Sequence, residues 1–336
     1  MANTSAVSVV IPMYNAEKYI GECLESILAQ TLQDFEVIIV DDCSTDSGVK
    51  IVERYLQKFG GRLKLFGMEK NSGGGALPRN KGLTLSRGEY IFFMDADDLI
   101  TPTALAELYN AAKNFSADVV YCEKMFETDS DAKTINVIKM QDGVLVDKPT
   151  LETENLSERV HEILKIKFGM ETVLKFVRRD FLLENEIFFP HIKPSEDTIW
   201  TYGLIFFAKR FLRVPNAVYI RRLSNDSVMR TERTPQENII FWINSVVAGM
   251  KSLDKFMSKL EFFQQNISYR YAMLEHFVHL VLGDLFESSL QVAPSSIYEA
   301  IRRECGKNFG EHEILISFLL ADLIEQQKNF VQLKNK

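Results

Sequence analysis

The chain has 336 residues, of which 46% are hydrophobic, enough to bury one large core with an appendage or two separate cores. Its net charge of −7 excludes a general electrostatic attraction to nucleic acid, so no nucleic-acid partner is expected. The four cysteines are far apart and form no Cys-x-x-Cys pair. The sequence therefore predicts neither a disulfide nor a zinc framework, and it favours a location in the reducing cytoplasm.

The first 123 residues alternate short apolar runs with amphipathic segments. The apolar runs have the length of buried strands, and the amphipathic segments carry hydrophobic residues at helical spacing. This alternation predicts an α/β fold with a mainly parallel, doubly wound sheet. Strands are predicted at Val7–Ile11, Phe35–Val40, Arg62–Phe66, Tyr90–Met94 and Asp118–Cys122, and helices at Glu17–Gln30, Ser47–Phe59, a stretch ending near Ser86, and Thr103–Phe115.

The alternation stops near Glu123, and residues 124–149 are polar and β-prone, as in an insertion or an antiparallel extension. Long helical segments begin after Thr234-Pro235. We therefore expect a domain at 1–232, with halves 1–123 and 124–232, and a helical C-terminal region at 233–336. Helices are predicted at Leu156–Phe168, Arg178–Asn185, Thr198–Phe207, Glu237–Met257, Glu261–Ser288, Ser295–Cys305 and Glu313–Phe330.

Polar side chains follow each of the first four predicted strands. Because the carboxyl ends of parallel strands lie at one edge of a sheet, these segments are expected to converge, and together they predict a nucleotide-binding site. Taken singly, each has a simpler interpretation, with Asn15 and Asp46 as helix caps and Asp42 as a turn residue. The four segments are Pro12–Asn15, Asp41–Asp46, Asn71–Gly75 and Asp95–Asp98.

Asp95 and Asp97 stand one residue apart, directly after an apolar strand. Two carboxylates at this spacing can hold a hard divalent cation, which can bridge two phosphate oxygens. A structural alternative is that the aspartates cap the helix that follows Thr101-Pro102. Arg79, in the helix after the glycine-rich turn, could reach the same phosphates or a base edge.

Four segments resemble the family 2 glycosyltransferases of GT-A fold in their order and spacing. They are VSVVIPMYNAEKYIGECLESILAQT, FEVIIVDDCSTDSG, NSGGGALPRNKGL and GEYIFFMDADD. A looser resemblance, to the acceptor-side half of bacterial polysaccharide and lipooligosaccharide transferases, is carried by FVRRDFLLENEIFF, SEDTIW and AVYIRRLSNDSVMR. The resemblance implies that residues 1–123 form the nucleotide-sugar-binding half and residues 124–232 the acceptor half.

The resemblance also implies roles for the residues of the uridine pocket. Pro12 and Tyr14 match the positions that flank and stack on the uracil ring, and Asp42 matches the acid that accepts the N3–H of uracil. Asn71 and Arg79 match the amide and the guanidinium that complete the pocket.

Metal and catalytic roles follow from the same resemblance. Asp95-Ala96-Asp97 matches the D-x-D motif, in which Asp95 faces the ribose and the metal and Asp97 ligates the metal directly. Asp197 matches the carboxylate that serves as general base. The simpler interpretation of Asp197 is a cap of the predicted helix Thr198–Phe207.

Other donor contacts are less sharply indicated. Asn15 lies beside the predicted uracil-stacking residues. The stretch Tyr219–Arg230 resembles a segment that closes over the donor, so that Arg221, Arg222 or Arg230 would touch the pyrophosphate, with Arg222 the chosen candidate. Each of these arginines is equally well explained as a surface residue.

The function implied by the resemblance is inverting transfer of a sugar from a UDP-sugar to a hydroxyl of a saccharide or lipid-linked glycan acceptor, with Mn²⁺ or Mg²⁺, in surface polysaccharide biosynthesis. One alternative is a sugar-1-phosphate nucleotidyltransferase, a class that opens with a glycine-rich, basic signature after the first strand. Pro12–Lys18 contains no glycine and a single lysine. The other alternative is a non-catalytic nucleotide-sugar-binding subunit.

The C-terminal helices lie outside the resemblance. Aromatic residues there fit a buried stripe, and alternatively a homodimer interface or a surface for a lipid-linked acceptor. Ile314–Leu323, with the later Lys328, Lys334 and Lys336, is the candidate for peripheral contact with the inner face of the plasma membrane. The aromatic residues are Phe262, Phe263, Tyr269, Tyr271, Phe277 and Phe286.

Overall fold

The computed structural model describes residues 5–130, 135–139, 145–165, 167–223 and 233–283, together with Glu299 and Arg303. The chain divides into two compact units. The first comprises Met1–Phe189 and Trp200–Asn225, and the second comprises Pro190–Ile199 and Asp226–Lys336. The predicted domain boundary near residue 232 stays a prediction, and no sequence pattern indicated that the short segment 190–199 groups with the second unit.

The first unit is built on a ten-stranded sheet, so that the predicted α/β fold is confirmed. Three of its strands are mainly apolar and are buried along most or all of their length, as in a sheet covered on both faces. The strands are β1 (Val7–Met13), β2 (Phe35–Asp41), β3 (Leu63–Gly67), β4 (Tyr90–Phe93), β5 (Leu99–Ile100), β6 (Val119–Thr128), β7 (Ile135–Lys139), β8 (Thr150–Leu151), β9 (Lys175–Arg178) and β10 (Phe211–Arg222).

The strand order is β3-β2-β1-β4-β9-β6-β10-β5, with β7 paired to β6 and β8 paired to β10. The strands β3, β2, β1 and β4 are mutually parallel, with Val7 opposite both Phe35 and Tyr90. The strand β9 runs antiparallel to β4 and β6, and β10 runs parallel to β6. The carboxyl ends of the four parallel strands therefore lie at one edge, where the sequence placed the polar segments.

Two later strands of the sheet, β9 and β10, were not predicted from the sequence. The predicted helix Arg178–Asn185 is the shorter α6 (Arg179–Glu184), and the four residues before Arg179 form β9 in the middle of the sheet. The twelve-residue β10 was not predicted, because Pro215 and Asn216 interrupt its apolar pattern. The pairing with β6 shifts register between Val214 and Ala217, which accommodates this interruption as a bulge.

Helices flank the sheet, and several of them contact its strands. On α1 (Ile20–Leu28) the buried residues include Ile20, Leu24 and Ile27, which lie on one face at helical spacing. On α3, Gly82 allows close packing, because a Cβ there would lie 2.3 Å from Cγ1 of Val10. The helices are α1 (Ile20–Leu28), α2 (Gly48–Tyr55), α3 (Ala76–Leu85), α4 (Ala104–Phe115), α5 (Leu156–Leu164), α6 (Arg179–Glu184) and α7 (Glu196–Phe207), with a 3₁₀ turn at Thr172–Leu174.

The second unit is helical. Its helices are α8 (Pro235–Ser258), α9 (Glu261–Gln265) and α10 (Ile267–Gly283). A capping box fixes the start of α8: Glu237 N–H donates to Thr234 Oγ1 at 3.3 Å, and Thr234 N–H donates to Glu237 Oε2 at 2.9 Å. The predicted single helix Glu261–Ser288 is instead divided at Asn266, whose backbone leaves the helical region.

The remaining C-terminal predictions fall mostly on residues that the structure does not describe. The helices predicted at Ser295–Cys305 and Glu313–Phe330, the stretch Ile314–Leu323 and Phe286 lie outside the described residues, apart from Glu299 and Arg303. Within the described part of the chain, every helix is too short or too polar to cross a membrane.

Candidate functional site

Asn15 joins the loops that follow β1 and β2. Its backbone N–H donates to Ser44 Oγ at 2.9 Å, and its side-chain oxygen accepts the N–H of Thr45 at 2.8 Å. Asn15 has a φ of +49°, in the left-handed region that asparagine tolerates better than most residues. The side chain that the sequence assigned to the donor thus holds two loops together. Beside it, the ring of Tyr14 is 53% exposed and available for stacking.

Asp42 is the acid that ties β2 to the glycine-rich loop. It is only 4% exposed, and its carboxylate accepts hydrogen bonds from the N–H of Ser72 at 2.9 Å and from Ser72 Oγ at 2.9 Å. The carbonyl of Asp42 accepts from Asn71 Nδ2 at 2.8 Å, while Asn71 Oδ1 accepts the N–H of Gly73. Because a carboxylate can accept about four hydrogen bonds, Asp42 retains capacity for an N–H of a bound base.

Arg79 brings helix α3 to the aspartate cluster. Its Nη2 lies 2.8 Å from Asp95 Oδ1, and its guanidinium lies 5.4 Å from the ring centroid of Phe189. Gly75 makes this placement possible, since a Cβ there would lie 2.8 Å from Arg79 Nη1. The structure therefore brings together Arg79, in the first turn of α3, and Asp95, which lies 16 residues later and follows β4.

Tyr219 and Arg222, both on β10, hold the loop Asp95–Asp98 in place by hydrogen bonds. The N–H of Asp95 donates to Tyr219 Oη at 3.1 Å, and the Tyr219 hydroxyl donates to Asp98 Oδ2 at 2.6 Å. The N–H of Arg222 donates to Asp98 Oδ1 at 2.7 Å. Burial, together with the charges of Asp97 and Asp95, raises the pKa of Asp98 well above its usual range. Asp98 is thus an internal anchor of the loop.

Tyr219 and Asp98 are residues whose positional role the sequence did not reveal. Both are buried. The signal for Asp98 was its membership of the aspartate cluster, and the signal for Tyr219 was its place in the stretch that resembles a donor-closing segment. Their hydrogen bond spans 121 residues of sequence, a separation at which no local pattern links two side chains.

The side chain of Arg222 contacts the backbone of the loop Asp95–Asp98. Its Nε donates to the carbonyl of Asp97 at 3.0 Å and its Nη1 to the carbonyl of Ser130 at 2.7 Å, while its Nη2 pairs with Glu22 at 2.6 Å. The side chain is 1% exposed. These contacts give Arg222 a role in fixing the backbone of the loop, and a contact with a pyrophosphate stays a prediction. Arg221 pairs with Glu127, and Arg230 lies outside the described residues.

The donor set of Asp95 and Asp97 fits a divalent cation of the Mg²⁺ or Mn²⁺ kind. Burial, and then the neighbouring Asp95 carboxylate, raise the pKa of Asp97 to about 6. A cation held between the two carboxylates would offset this repulsion. In the described ranges, His, Cys, Asp and Glu form no group of three that could hold a metal. Mg²⁺ in particular uses one or two carboxylates and takes its other ligands from phosphates and water.

Asp197 belongs to the second unit. It is the second residue of α7 and is half-buried. The structure therefore groups ten of the predicted residues in the first unit and places the predicted base in the other unit. Those in the first unit are Pro12, Tyr14, Asn15, Asp42, Asn71, Arg79, Asp95, Ala96, Asp97 and Arg222.

Comparison with known proteins identifies the family of the chain. The profile of glycosyl transferase family 2 matches residues 8–183. The chain is 32% identical over 253 residues to a poly(ribitol-phosphate) beta-glucosyltransferase of Bacillus spizizenii, covering 74% of this chain and 37% of the relative. It is 30% identical over 226 residues to glycosyltransferase GlyG of Streptococcus pneumoniae, covering 67% of this chain and 73% of the relative. The chain thus spans little more than a third of the length of the Bacillus relative.

Solved structures support the fold. TarS 1–349 of S. aureus, in complex with UDP-GlcNAc, superposes with a TM-score of 0.58 at 23% identity, covering 93% of this chain and 90% of that chain. Mannosyltransferase PcManGT of Pyrobaculum calidifontis, in complex with GDP-Man and Mn²⁺, gives 0.51 at 17% identity, covering 98% and 84%. The resemblance read from the sequence and the predicted GT-A fold are confirmed. The chain belongs to glycosyl transferase family 2.

Proposed function

We propose that this chain is an inverting, metal-dependent glycosyltransferase that moves a sugar from a UDP-sugar to a hydroxyl of a saccharide or lipid-linked glycan in cell-surface polymer synthesis. The observation that carries the proposal is the convergence of Asp42, Arg79, Asp95 and Asp97 at one edge of the parallel strands. It is supported by a relative named as a poly(ribitol-phosphate) beta-glucosyltransferase and by a structural neighbour in complex with UDP-GlcNAc.

The donor base is held by residues at the ends of β1 and β2. The exposed ring of Tyr14, two residues after Pro12, offers an apolar face for uracil. Asp42 accepts the N3–H of uracil with the hydrogen-bonding capacity that Ser72 leaves it. Since Ser72 already fixes the Asp42 carboxylate, this carboxylate is held in place to accept the hydrogen bond of uracil.

The diphosphate is held beside the aspartate cluster. Asp95 and Asp97 would hold the cation, which when bound neutralises the charge that develops on the departing UDP. Arg79 pairs with Asp95 and so sets the orientation of that carboxylate. The hydrogen bonds of Tyr219 with Asp95 and Asp98 keep this loop rigid. Rigid placement of the charged groups is what stabilises a transition state without reorganisation during the reaction.

Asp197 is the proposed general base. It removes the proton from the acceptor hydroxyl, the resulting oxygen attacks C1 of the donor sugar, and the bond from C1 to the UDP oxygen breaks. The configuration at C1 is inverted, the proton stays on Asp197 and UDP leaves. A single displacement needs one carboxylate as base, whereas a retaining mechanism needs a nucleophile as well.

A UDP analogue with a modified uracil ring tests whether Asp42 recognises uracil, without any change to the protein. We expect 3-methyl-UDP, which lacks the N3–H, to bind ~10-fold or more weakly than UDP, because Asp42 is left buried without that donor. Isothermal titration calorimetry in the presence of Mn²⁺ measures the difference. 5-Methyl-UDP, which carries the same methyl group on another ring position, is the control and should bind much as UDP does. Equal affinity for 3-methyl-UDP and UDP would contradict the role of Asp42.

A further inference from the structure

The segment 190–199, which carries Asp197, is built into the helical unit. Within that unit, Ser245 of α8 is 1% exposed, and its hydroxyl donates to the carbonyl of Pro194 at 2.5 Å. Serine inside a helix commonly donates to the carbonyl four residues earlier, as Ser252 of the same helix does to Ala248 at 3.0 Å. Ser245 instead donates to a carbonyl 51 residues away, three residues before Asp197.

A second contact holds the same segment. Gly249 lies one turn after Ser245 on α8, and a Cβ there would lie 2.4 Å from Cζ of Phe277 on α10 and 3.5 Å from Cδ1 of Ile192. The absence of a side chain at Gly249 therefore lets α10 and the segment pack closely on α8. Segment 190–199 is fixed through a side chain at Ile192 and through the backbone at Pro194.

The backbone between the anchor and Asp197 is strained. Ser195 has a φ of +79°, a conformation that a residue with a side chain adopts only when its surroundings impose it. The carbonyl of Ser195 accepts the N–H of Ile199 at 3.2 Å at the start of α7. The hydrogen bond of Ser245 thus lies directly before the strained residue that sets the direction of the first turn of α7.

From this geometry we infer that Ser245 is a positioning residue for Asp197, so that α8 contributes to the reaction through this one contact. Ser245 fixes the carbonyl of Pro194, which fixes Ser195 and with it the turn that carries Asp197. The inference rests on the proposed function of Asp197 as general base. It gives the helical region, which the sequence resemblance does not cover, a defined part in the reaction.

The test compares single and combined variants by steady-state UDP release with Mn²⁺ and water as acceptor. The donor is whichever of UDP-glucose, UDP-GlcNAc and UDP-galactose the wild type turns over fastest. Ser245→Ala is expected to lower kcat by ~10-fold, the kind of loss that small misplacement of a catalytic group causes, with KM and the Kd of UDP unchanged. Ser252→Ala, the same substitution on the same helix, is expected to leave kcat unchanged.

Combination with Asp197→Asn separates positioning from a general structural effect. If Ser245 acts through Asp197, then Ser245→Ala causes no further loss of kcat in the Asp197→Asn background. A wild-type kcat in Ser245→Ala, or a ~10-fold loss in both backgrounds, overturns the inference. Should Ser245→Ala not fold, Ser245→Cys, which has a similar volume and a weaker donor, carries the same comparison. If the wild type releases UDP from none of the donors, the proposed function itself fails, and that is evident before any variant is made.

Discussion

Replacement of Asp197 by Asn is expected to lower kcat by ~10²–10⁴-fold, because an amide cannot take the proton of the acceptor hydroxyl. The Kd of UDP should stay within about twofold of the wild type, since the residues proposed to hold the nucleotide belong to the first unit. Steady-state UDP release gives kcat, and calorimetry gives the Kd of UDP. Loss of turnover with intact nucleotide binding is what a group that acts in the chemical step produces.

Glu196 offers a matched control for that substitution. It precedes Asp197 in the first turn of α7, so Glu196→Gln removes a neighbouring negative charge from the same helix end. We expect Glu196→Gln to retain most of the wild-type kcat. An equal loss in both variants would show that charge at the start of α7 matters rather than a base at Asp197, and a near wild-type rate in Asp197→Asn would contradict the assignment.

Replacement of Asp97 by Asn is expected to abolish the dependence of nucleotide binding and turnover on the metal. Loss of a direct ligand should lower kcat/KM by roughly 10²–10³-fold, equivalent to about 3–4 kcal/mol of transition-state stabilisation. In calorimetry, Mn²⁺ should tighten UDP binding to the wild type and have no such effect on Asp97→Asn. The calorimetric measurement does not depend on turnover, so it separates metal binding from catalysis.

The control for Asp97 is Asp180→Asn, which removes an exposed carboxylate on α6 of the same unit. We expect this variant to keep both the wild-type kcat/KM and the tightening of UDP binding by Mn²⁺. If Asp97→Asn also kept the Mn²⁺ effect, the metal would be held elsewhere and the assignment of Asp97 as ligand would be wrong.

The parts of the fold and the candidate site that could be predicted are those encoded by neighbouring residues. An apolar strand and the polar residues that follow it are contiguous, so Val7–Ile11 with Tyr14, or Tyr90–Met94 with Asp95, can be read from a short window. The direction of the parallel strands then places these windows at one edge without further information. For this reason the convergence at the ends of β1 to β4 was predictable.

The parts that could not be predicted depend on contacts between distant residues. The strand β9 has four residues, too few for a periodic pattern, and β10 is interrupted by Pro215 and Asn216. Without β10 in place, the sequence could not show that Tyr219 holds the aspartate loop. It also could not decide between the alternatives for Arg222, whose partners Glu22 and Ser130 come from two other elements.

The C-terminal helices show the same limit. The capping box at Thr234 and Glu237 is local, and the start of α8 was predicted to within a few residues. Segment 190–199 groups with this unit and is joined to α8 by the hydrogen bond between Ser245 and Pro194, a contact between residues 51 positions apart that no local sequence pattern indicates. The roles of the aromatic residues of these helices in a dimer or at a membrane stay predictions.

UDP release from UDP-glucose, UDP-GlcNAc and UDP-galactose, each with and without Mn²⁺ or Mg²⁺, is the most direct test of the proposed transferase. We expect the wild type to release UDP from at least one of these donors only when the metal is present, and we expect Asp97→Asn to lose this release. Absence of both UDP release and UDP binding by calorimetry would contradict the proposed function. UDP binding without turnover would favour a binding subunit, and pyrophosphate release from UTP and a sugar 1-phosphate would favour a nucleotidyltransferase.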